Sequence, residues 1–195
     1  EKLKKLFQHY GLKPIMLVST VQLAPGQPLA RARQRLELAR TLGIPEVLSL
    51  GTWGYQRFPD EPLPEDELAG KNREFAEKFR QVGALAAEMG ITVTIKPHTG
   101  NTATAAVMKR TVAEIGSPNV KMCYDSGNVK YYEGIDPLAD LATIAGEVYS
   151  YIAKDHRGPR AHADFPVPGD GEIDFRGEFR LLRQHGFDGP VVVER

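Results

Sequence analysis

Apolar positions along this chain alternate between two periods. Short runs rich in apolar and β-branched residues predict strands, and longer segments with apolar residues three or four positions apart predict helices. The predicted strands cover residues 14–20, 46–50, 91–97, 120–125, 148–155 and 190–194. The predicted helices cover residues 29–42, 71–89, 104–115 and 174–184, and another begins at Asp136-Pro137. The chain therefore alternates strand and helix over most of its length.

This alternation is typical of an α/β fold with parallel strands joined by right-handed crossovers. We predict a parallel (β/α)8 TIM barrel rather than an open sheet, because polar residues follow nearly every strand, whereas an open sheet concentrates its ligand contacts at one switch point. Six strands are visible where a barrel has eight. We expect residues 1–195 to form one incomplete barrel domain that lacks the first two strands and the last helix.

The segments between these elements carry turn and breaker residues. Residues 52–64 contain several prolines and predict a long loop, and Ser126-Gly127-Asn128 predicts a turn. Gly43 and Gly90 follow the apolar periods of two helices and predict left-handed caps there.

Four predicted strands end in groups of polar residues. The sequences are KPH at 96–98, YDSGN at 124–128, KDHR at 154–157 and VER at 193–195. Catalytic residues of parallel barrels come from the carboxyl ends of several strands. The pattern therefore predicts an enzyme whose lysine, histidine, aspartate and glutamate side chains meet at one mouth.

Composition excludes several other classes of protein. The chain has 25 basic and 25 acidic residues, its apolar runs are only strand-sized, and its one cysteine, Cys123, lies in a predicted strand. We therefore expect a cytoplasmic protein with a small-molecule partner, without nucleic-acid or membrane binding. The unpaired edges of an unclosed sheet also favour association, so a homo-oligomer is kept as an open alternative.

The motifs KPHTG, YDSGNV, YIAKDHRG, PGDGEIDF and GPVVVER resemble those of the xylose isomerase-like TIM barrels. This superfamily contains sugar and sugar-phosphate isomerases and epimerases, together with endonuclease IV. The resemblance covers nearly the whole chain. It implies a divalent metal held by Glu, Asp, His and Glu from the last four strands, with the two glutamates shuttling protons.

The resemblance transfers only in part to individual residues. Asp125 and Glu194 match the metal-binding aspartate and the last glutamate of the family. Lys96 stands where the family has glutamate, Ile152 stands where it has histidine, and Asn128 replaces a frequent substrate-binding histidine. Isoleucine cannot ligate a metal, and lysine ligates only when deprotonated. The ordinary metal site should therefore be broken.

Two arrangements remain open for this site. Residues two apart on a strand point the same way, so His98 shares the face of Lys96, and His156 would share that of Ile152 if its strand continues so far. A displaced site for one Zn, Mn or Mg ion would then consist of His98, Asp125, His156 and Glu194. Alternatively, the ammonium of Lys96 replaces the ion and no metal is bound.

The expected activity is that of a sugar or sugar-phosphate isomerase or epimerase that abstracts a proton next to a carbonyl. Glu194 would act as base or acid, Lys96 or a metal would polarise the carbonyl, and His98 would ligate or relay a proton. A lyase or dehydratase would use the same first step. A sugar-binding barrel without activity is a further alternative. A nuclease of the endonuclease IV type is disfavoured because the chain is neutral overall.

Four further residues are expected to bind the substrate. Strand alternation places the side chain of Lys154 on the inward face, and Asn128 and Arg157 follow strand ends. Trp53 follows the second visible strand and is suited to the apolar face of a sugar ring. Asp155, of opposite parity to Lys154, is expected to face the helices or to brace a loop.

Overall fold

The computed structural model, which describes residues 2–195, alternates strands and helices as predicted. Its strands are β1 (Met16–Val18), β2 (Glu46–Leu50), β3 (Tyr55–Arg57), β4 (Glu61–Pro62), β5 (Thr92–Lys96), β6 (Val120–Asp125), β7 (Val148–Ala153) and β8 (Val191–Val193). Its α-helices are α1 (Lys2–His9), α2 (Leu29–Leu42), α3 (Glu65–Met89), α4 (Ala105–Ile115), α5 (Ser126–Glu133), α6 (Pro137–Ala142) and α7 (Phe175–Gln184). Within residues 2–195, no helix combines the length and apolar character that crossing a bilayer requires.

Six of these strands form one parallel sheet in the order β1-β2-β5-β6-β7-β8. The sheet is curled. Thr20 follows one edge strand and Glu194 follows the other, and both line the same cavity. The chain thus forms a curled, incomplete (β/α)8 barrel, and the predicted fold class is confirmed. The carboxyl ends of all six strands, including the four that carry the polar groups, consequently lie at one mouth.

Strand alternation divides the side chains between two environments. Outward side chains such as Val93 and Tyr151 pack against the helices in the main core, together with Leu36, Phe75 and Phe79. Inward side chains form layers along the barrel axis, as in other parallel barrels. A buried apolar layer contains Leu48, Cys123 and Ile152, and the charged residues of the mouth lie above it. The two glycine caps are confirmed, because Gly43 has a φ of 73° and Gly90 a φ of 67°.

The segment between β2 and residue 71 differs from the sequence prediction. The proline-rich segment 52–64 contains the antiparallel hairpin β3–β4, and α3 begins at Glu65 rather than at residue 71. Three acidic residues in its first turn favour this earlier start, because they interact with the positive end of the helix dipole.

The predicted turn at residues 126–128 is instead the start of α5. Asp125 caps this helix, and its carboxylate accepts a hydrogen bond from the backbone N–H of Asn128. Gly127 concealed the helix in the sequence, because glycine is a weak helix former. The structure explains the glycine: a Cβ atom there would lie 2.7 Å from the backbone oxygen of Lys154.

Candidate active site at the mouth of the barrel

A cavity of about 350 Å³ opens at the carboxyl ends of the parallel strands. Its polar lining includes Lys96, His98, Asn128, Tyr132, Lys154 and Glu194. Five of these six residues are candidates from the sequence, and the curled sheet brings them together from four different strand ends. Tyr132 was not a candidate, because the helix that carries it was not predicted.

Lys96 lies at the centre of the charged groups. Its Nζ donates to Oδ2 of Asp125 and to Oε2 of Glu194, each at 2.7 Å. The lysine is 5% exposed and Asp125 is fully buried. A buried ammonium between two carboxylates requires all three charges, since removing one would leave an uncompensated charge in a medium of low polarity.

The pKa values of these groups follow from burial and mutual attraction. Burial alone would lower the pKa of Lys96, but Asp125 and Glu194 outweigh it and raise that pKa above its ordinary 10.5. Burial raises the pKa of the Asp125 carboxyl, and the Lys96 ammonium opposes this shift. Burial also favours the neutral form of Glu194, yet its lysine partners lower its pKa below 4.5. Glu194 is therefore ionised at neutral pH.

Lys154 holds the other oxygen of the Glu194 carboxylate. Its Nζ donates to Oε1 at 2.9 Å and also lies 4.7 Å from the centre of the Phe165 ring. Each carboxylate oxygen has two lone pairs, so both oxygens of Glu194 still have one acceptor site after binding the lysines. Glu194 is thus oriented firmly without being saturated.

Asn128 and His98 border the cavity in different ways. The side chain of Asn128 donates from Nδ2 to the backbone oxygen of Pro97 at 2.8 Å, which leaves its amide oxygen as an acceptor. His98 lies with its Nε2 at 2.8 Å from the Tyr132 hydroxyl and its ring centre 5.1 Å from that of Trp53. Burial, followed by the charges of Lys96 and Lys154, lowers the pKa of His98 to about 4. The imidazole is therefore neutral at neutral pH.

Trp53 belongs to an aromatic wall beside the cavity, which also contains Tyr55, Phe58 and Tyr132. Trp53 is 41% exposed, but it does not itself line the cavity as the predicted substrate contact would. Arg160 holds this wall to α5, because it donates to the Tyr55 hydroxyl and to the Tyr132 backbone oxygen, each at 2.7 Å. The hairpin that carries Tyr55 is thereby attached to the mouth.

The structure does not bring His156 or Arg157 into this cavity. Strand β7 ends at Ala153, so the alternation that would carry His156 to the face of Ile152 stops before it. His156 is buried, and its Nε2 lies 2.6 Å from the backbone oxygen of His162. Arg157 is exposed, and it bonds Asp164 and the backbone oxygen of Asp170. The predicted metal ligand and the predicted substrate contact thus both lie in the loop after β7.

Asp155 organises that loop, as its parity predicted. The carboxylate is fully buried and accepts hydrogen bonds from the backbone N–H groups of Gly169, Gly171 and Ile173, at 2.8, 2.8 and 3.2 Å. These bonds fix the loop before α7 against the end of β7. Asp155 supports the mouth but does not line the cavity.

The resident groups do not fit the divalent metal that the family resemblance implies. The Lys96 ammonium lies within hydrogen-bond distance of both carboxylates that would be ligands, so a cation between Asp125 and Glu194 would meet a like charge there. In the described part of the chain, no three His, Cys, Asp or Glu side chains are grouped closely enough to hold a metal ion. The four residues of the predicted displaced site are therefore not assembled, because His156 lies elsewhere.

A second buried cluster supports the start of α5 from behind. Glu178 on α7 accepts hydrogen bonds from the hydroxyls of Ser126 and Tyr151, and it is 1% exposed. Burial raises the pKa of Glu178 from 4.5 to about 7, and the charges of Asp136 and Asp174 add to this shift. Because Ser126 follows Asp125 directly, this cluster anchors the helix that orients the mouth.

Replacing Glu178 with glutamine should remove part of the pH dependence of stability. A carboxyl with a raised folded-state pKa contributes stability that is fully present below its unfolded value of 4.5 and is lost as pH rises through about 7. The complete shift corresponds to about 3 kcal/mol. We expect the free energy of unfolding, measured by urea denaturation, to fall less steeply with pH in Glu178→Gln. The control Glu147→Gln, in an exposed ion pair, should keep the wild-type slope, and equal slopes in all three proteins would contradict the prediction.

Comparisons with known proteins agree with this architecture. The sequence model of the family described as "Xylose isomerase-like TIM barrel" matches residues 1–195. A protein named inosose dehydratase from Klebsiella pneumoniae is 34% identical over 138 residues, which are 61% of this chain and 46% of that protein. The chain thus spans about half the length of the curated relatives it matches.

Solved structures show the same fold at low sequence identity. The apo form of 3-keto-D-glucoside 4-epimerase from E. coli superposes with a TM-score of 0.79 and 21% identity, over 99% of this chain and 75% of that one. The IOLI protein, whose structure contains a zinc atom, superposes with a TM-score of 0.78 and 18% identity, over 100% of this chain and 72% of that one. At these identities the likeness concerns the fold alone.

Proposed function

Because this chain belongs to the xylose isomerase-like TIM barrel family, we propose that it is a sugar-modifying enzyme that abstracts a proton from the carbon next to a carbonyl group. The observation that carries the proposal is the convergence of Lys96, Lys154 and Glu194 on one cavity. The reaction needs an oriented carboxylate as the base and, beside it, a hydrogen-bond donor to the carbonyl oxygen.

Glu194 acts as the base in this proposal. It is ionised at neutral pH, and each of its oxygens keeps a free lone pair beside its bond to a lysine. The two lysines set the direction of the carboxylate, so it need not reorganise when the substrate arrives. The base therefore accepts the proton from a substrate carbon held in the cavity.

Lys96 stabilises the enolate oxygen that forms. Its ammonium has three N–H donors, and Asp125 and Glu194 take two of them, so the third is available for the carbonyl oxygen. As Glu194 gains the proton, its charge disappears and an equal charge develops on the substrate oxygen. Lys96 then exchanges a weakened bond to the base for a stronger bond to the enolate, while Asp125 keeps the ammonium in place.

We favour dehydration as the overall reaction. Several curated relatives are named inosose dehydratase, and the match to them extends over more than half of this chain. Loss of water from a β-hydroxy ketone begins with the same proton abstraction as isomerisation or epimerisation. The charges at the cavity balance, because Lys96 and Lys154 are paired with Glu194 in the lining and with Asp125 buried behind it. This balance suits an uncharged polyhydroxy ketone. The substrate class is therefore a keto-sugar or a related cyclic polyol ketone.

Incubation of the purified protein with an inosose in deuterated water tests this proposal. We expect deuterium to enter at the carbon next to the carbonyl, followed by loss of water, both observed by NMR and mass spectrometry. Exchange without loss of water would indicate an isomerase or epimerase with the same first step. Binding of the inosose without exchange would instead indicate a sugar-binding barrel, and it would refute the proposed enzyme.

Removing metal ions should leave this activity unchanged. Lys96 already provides the positive charge next to Asp125 and Glu194, so the proposed reaction uses no divalent ion. We expect protein dialysed against EDTA to retain its turnover number, and added Zn²⁺, Mn²⁺ or Mg²⁺ to give no increase. A loss of activity on dialysis that Mn²⁺ restores would contradict the assignment of Lys96 as the resident cation.

A further inference from the structure

The Tyr132 hydroxyl is a group of the cavity that proton abstraction leaves unused. It lies 2.8 Å from Nε2 of His98, and both side chains border the cavity with Lys96 and Glu194. Tyr132 follows Asn128 by four residues on α5, so one face of this helix presents both side chains to the cavity. The phenol is thus placed where the substrate is handled.

Dehydration requires a second proton transfer besides the one to Glu194. A hydroxyl group leaves readily only if it receives a proton as its bond to carbon breaks. Glu194 takes its proton from the substrate carbon, and Lys96 and Lys154 hold both of its oxygens in that orientation, so it is not turned towards the leaving oxygen. The two lysines are themselves held in these ion pairs. The donor to the leaving oxygen is therefore to be sought among the remaining groups of the cavity.

Three other polar side chains line the cavity, apart from the Asn128 amide: Thr20, His98 and Tyr132. The hydroxyl of Thr20 is an aliphatic alcohol and is too weakly acidic. Burial and the nearby lysines lower the pKa of His98 to about 4, so no imidazolium is present at neutral pH. Burial raises the pKa of Tyr132 to about 12, which keeps the phenol protonated. This value is still below the ~15.7 of water, so transfer to a departing hydroxide is favourable.

We infer that Tyr132 donates the proton to the leaving hydroxyl group, and that His98 is its positioning residue; the inference rests on the proposed dehydration. With its proton on Nε2, the imidazole of His98 donates to the Tyr132 oxygen, which leaves the phenol proton free to point into the cavity. The ring of Trp53, 5.1 Å from that of His98, holds the imidazole in this orientation.

The transfer balances without any oxidant or reductant. As the enolate re-forms its carbonyl group, the bond between carbon and the leaving oxygen breaks, and the oxygen keeps the electron pair. That oxygen takes the phenol proton of Tyr132 and departs as water. The resulting phenolate is stabilised by the His98 N–H and by the charge of Lys96. Glu194 then releases to solvent the proton that it removed from the substrate, and the phenolate takes one proton from solvent, so both groups return to their starting states.

The variant Tyr132→Phe tests this inference, with Tyr131→Phe as a matched control. Tyr131 precedes it on the same helix, and its ring packs against Phe58 and Phe165 outside the cavity lining. With an inosose as substrate, we expect Tyr132→Phe to lose water about 10²-fold more slowly than wild type. Deuterium exchange should stay within about twofold, because proton abstraction precedes the step that Tyr132 assists. The control should match wild type in both measurements.

A substrate with a better leaving group separates proton donation from a structural role. An inosose that carries fluorine in place of the leaving hydroxyl group releases fluoride, which departs with much less help from an acid. We expect Tyr132→Phe to release fluoride at nearly the wild-type rate, measured with a fluoride electrode. Equal slowing of fluoride release and water loss would overturn the inference, and so would water loss at the wild-type rate.

The role of His98 has its own measurement. His98→Gln retains an N–H donor and should lose less dehydration activity than His98→Ala, with both variants keeping deuterium exchange. Equal losses in the two variants would overturn the positioning role. If wild-type protein exchanges deuterium normally and Tyr132→Phe loses water at the wild-type rate, this inference alone is refuted. Wild-type protein that neither exchanges deuterium nor loses water would refute the proposed function and the inference together.

Discussion

Replacing Glu194 with glutamine should lower both deuterium exchange and loss of water by about 10²–10⁴-fold, the usual contribution of a positioned general base. Glutamine has nearly the same size as glutamate, and its carbonyl oxygen can still accept a bond from a lysine. The amide nitrogen, however, cannot take a proton from the substrate. Turnover should therefore fall while the Michaelis constant for the inosose changes little, which steady-state kinetics would measure.

The variant Glu147→Gln is the matched control for this prediction. Glu147 forms an exposed ion pair with Lys109, and neither residue lines the cavity. Loss of this pair should leave turnover unchanged. Glu194→Gln that still exchanges deuterium within tenfold of the wild-type rate would remove Glu194 from the proton transfer. The base would then have to be another group that lines the cavity.

Replacing Lys96 with methionine should reduce both activity and stability. Methionine keeps the length of the side chain but removes the donor to the enolate oxygen, so turnover should fall by about 10²–10³-fold. The change also leaves Asp125, which is fully buried, without its cation. Breaking a buried ion pair costs about 3–5 kcal/mol, which urea denaturation would detect as a lower free energy of unfolding.

A double variant separates the two effects of Lys96. In Lys96→Met with Asp125→Asn, the buried charge is removed together with its partner, so much of the lost stability should return. Activity should not return, because the donor to the enolate is still absent. The surface variant Lys109→Met should change stability by at most about 1 kcal/mol. Restored activity in the double variant would show that Lys96 only supports the fold.

The fold was predictable from local pattern because strands and helices in an α/β barrel differ in period and length. All six predicted strands of the sheet are present, although β1, β5, β7 and β8 end earlier than expected. The boundaries failed where tertiary contacts decide them. Helix α5 was missed because Gly127, a poor helix former, is required by the close approach of the backbone at Lys154. A prediction of helix α5 from the sequence would have placed Asn128 and Tyr132 on one helical face.

The candidate site was predictable where a residue lies at a strand end. Lys96, Lys154 and Glu194 all line the cavity, since parallel strands direct their carboxyl ends to one side. His156 and Arg157 follow the end of β7, where alternation no longer holds, and the loop carries them away from the mouth. The resemblance to the family identified the same positions but offered no means of choosing between a displaced metal and a lysine.

The sequence alone determined the parallel α/β architecture and the set of charged residues at its mouth, because periodicity and strand direction are local properties. Only the tertiary structure decided which of these groups meet. Lys96 contacts carboxylates that are 29 and 98 residues away in the chain, and Tyr132 contacts a histidine 34 residues away. These distances depend on the curl and register of the sheet and on the reach of each side chain, and no short-range pattern encodes them.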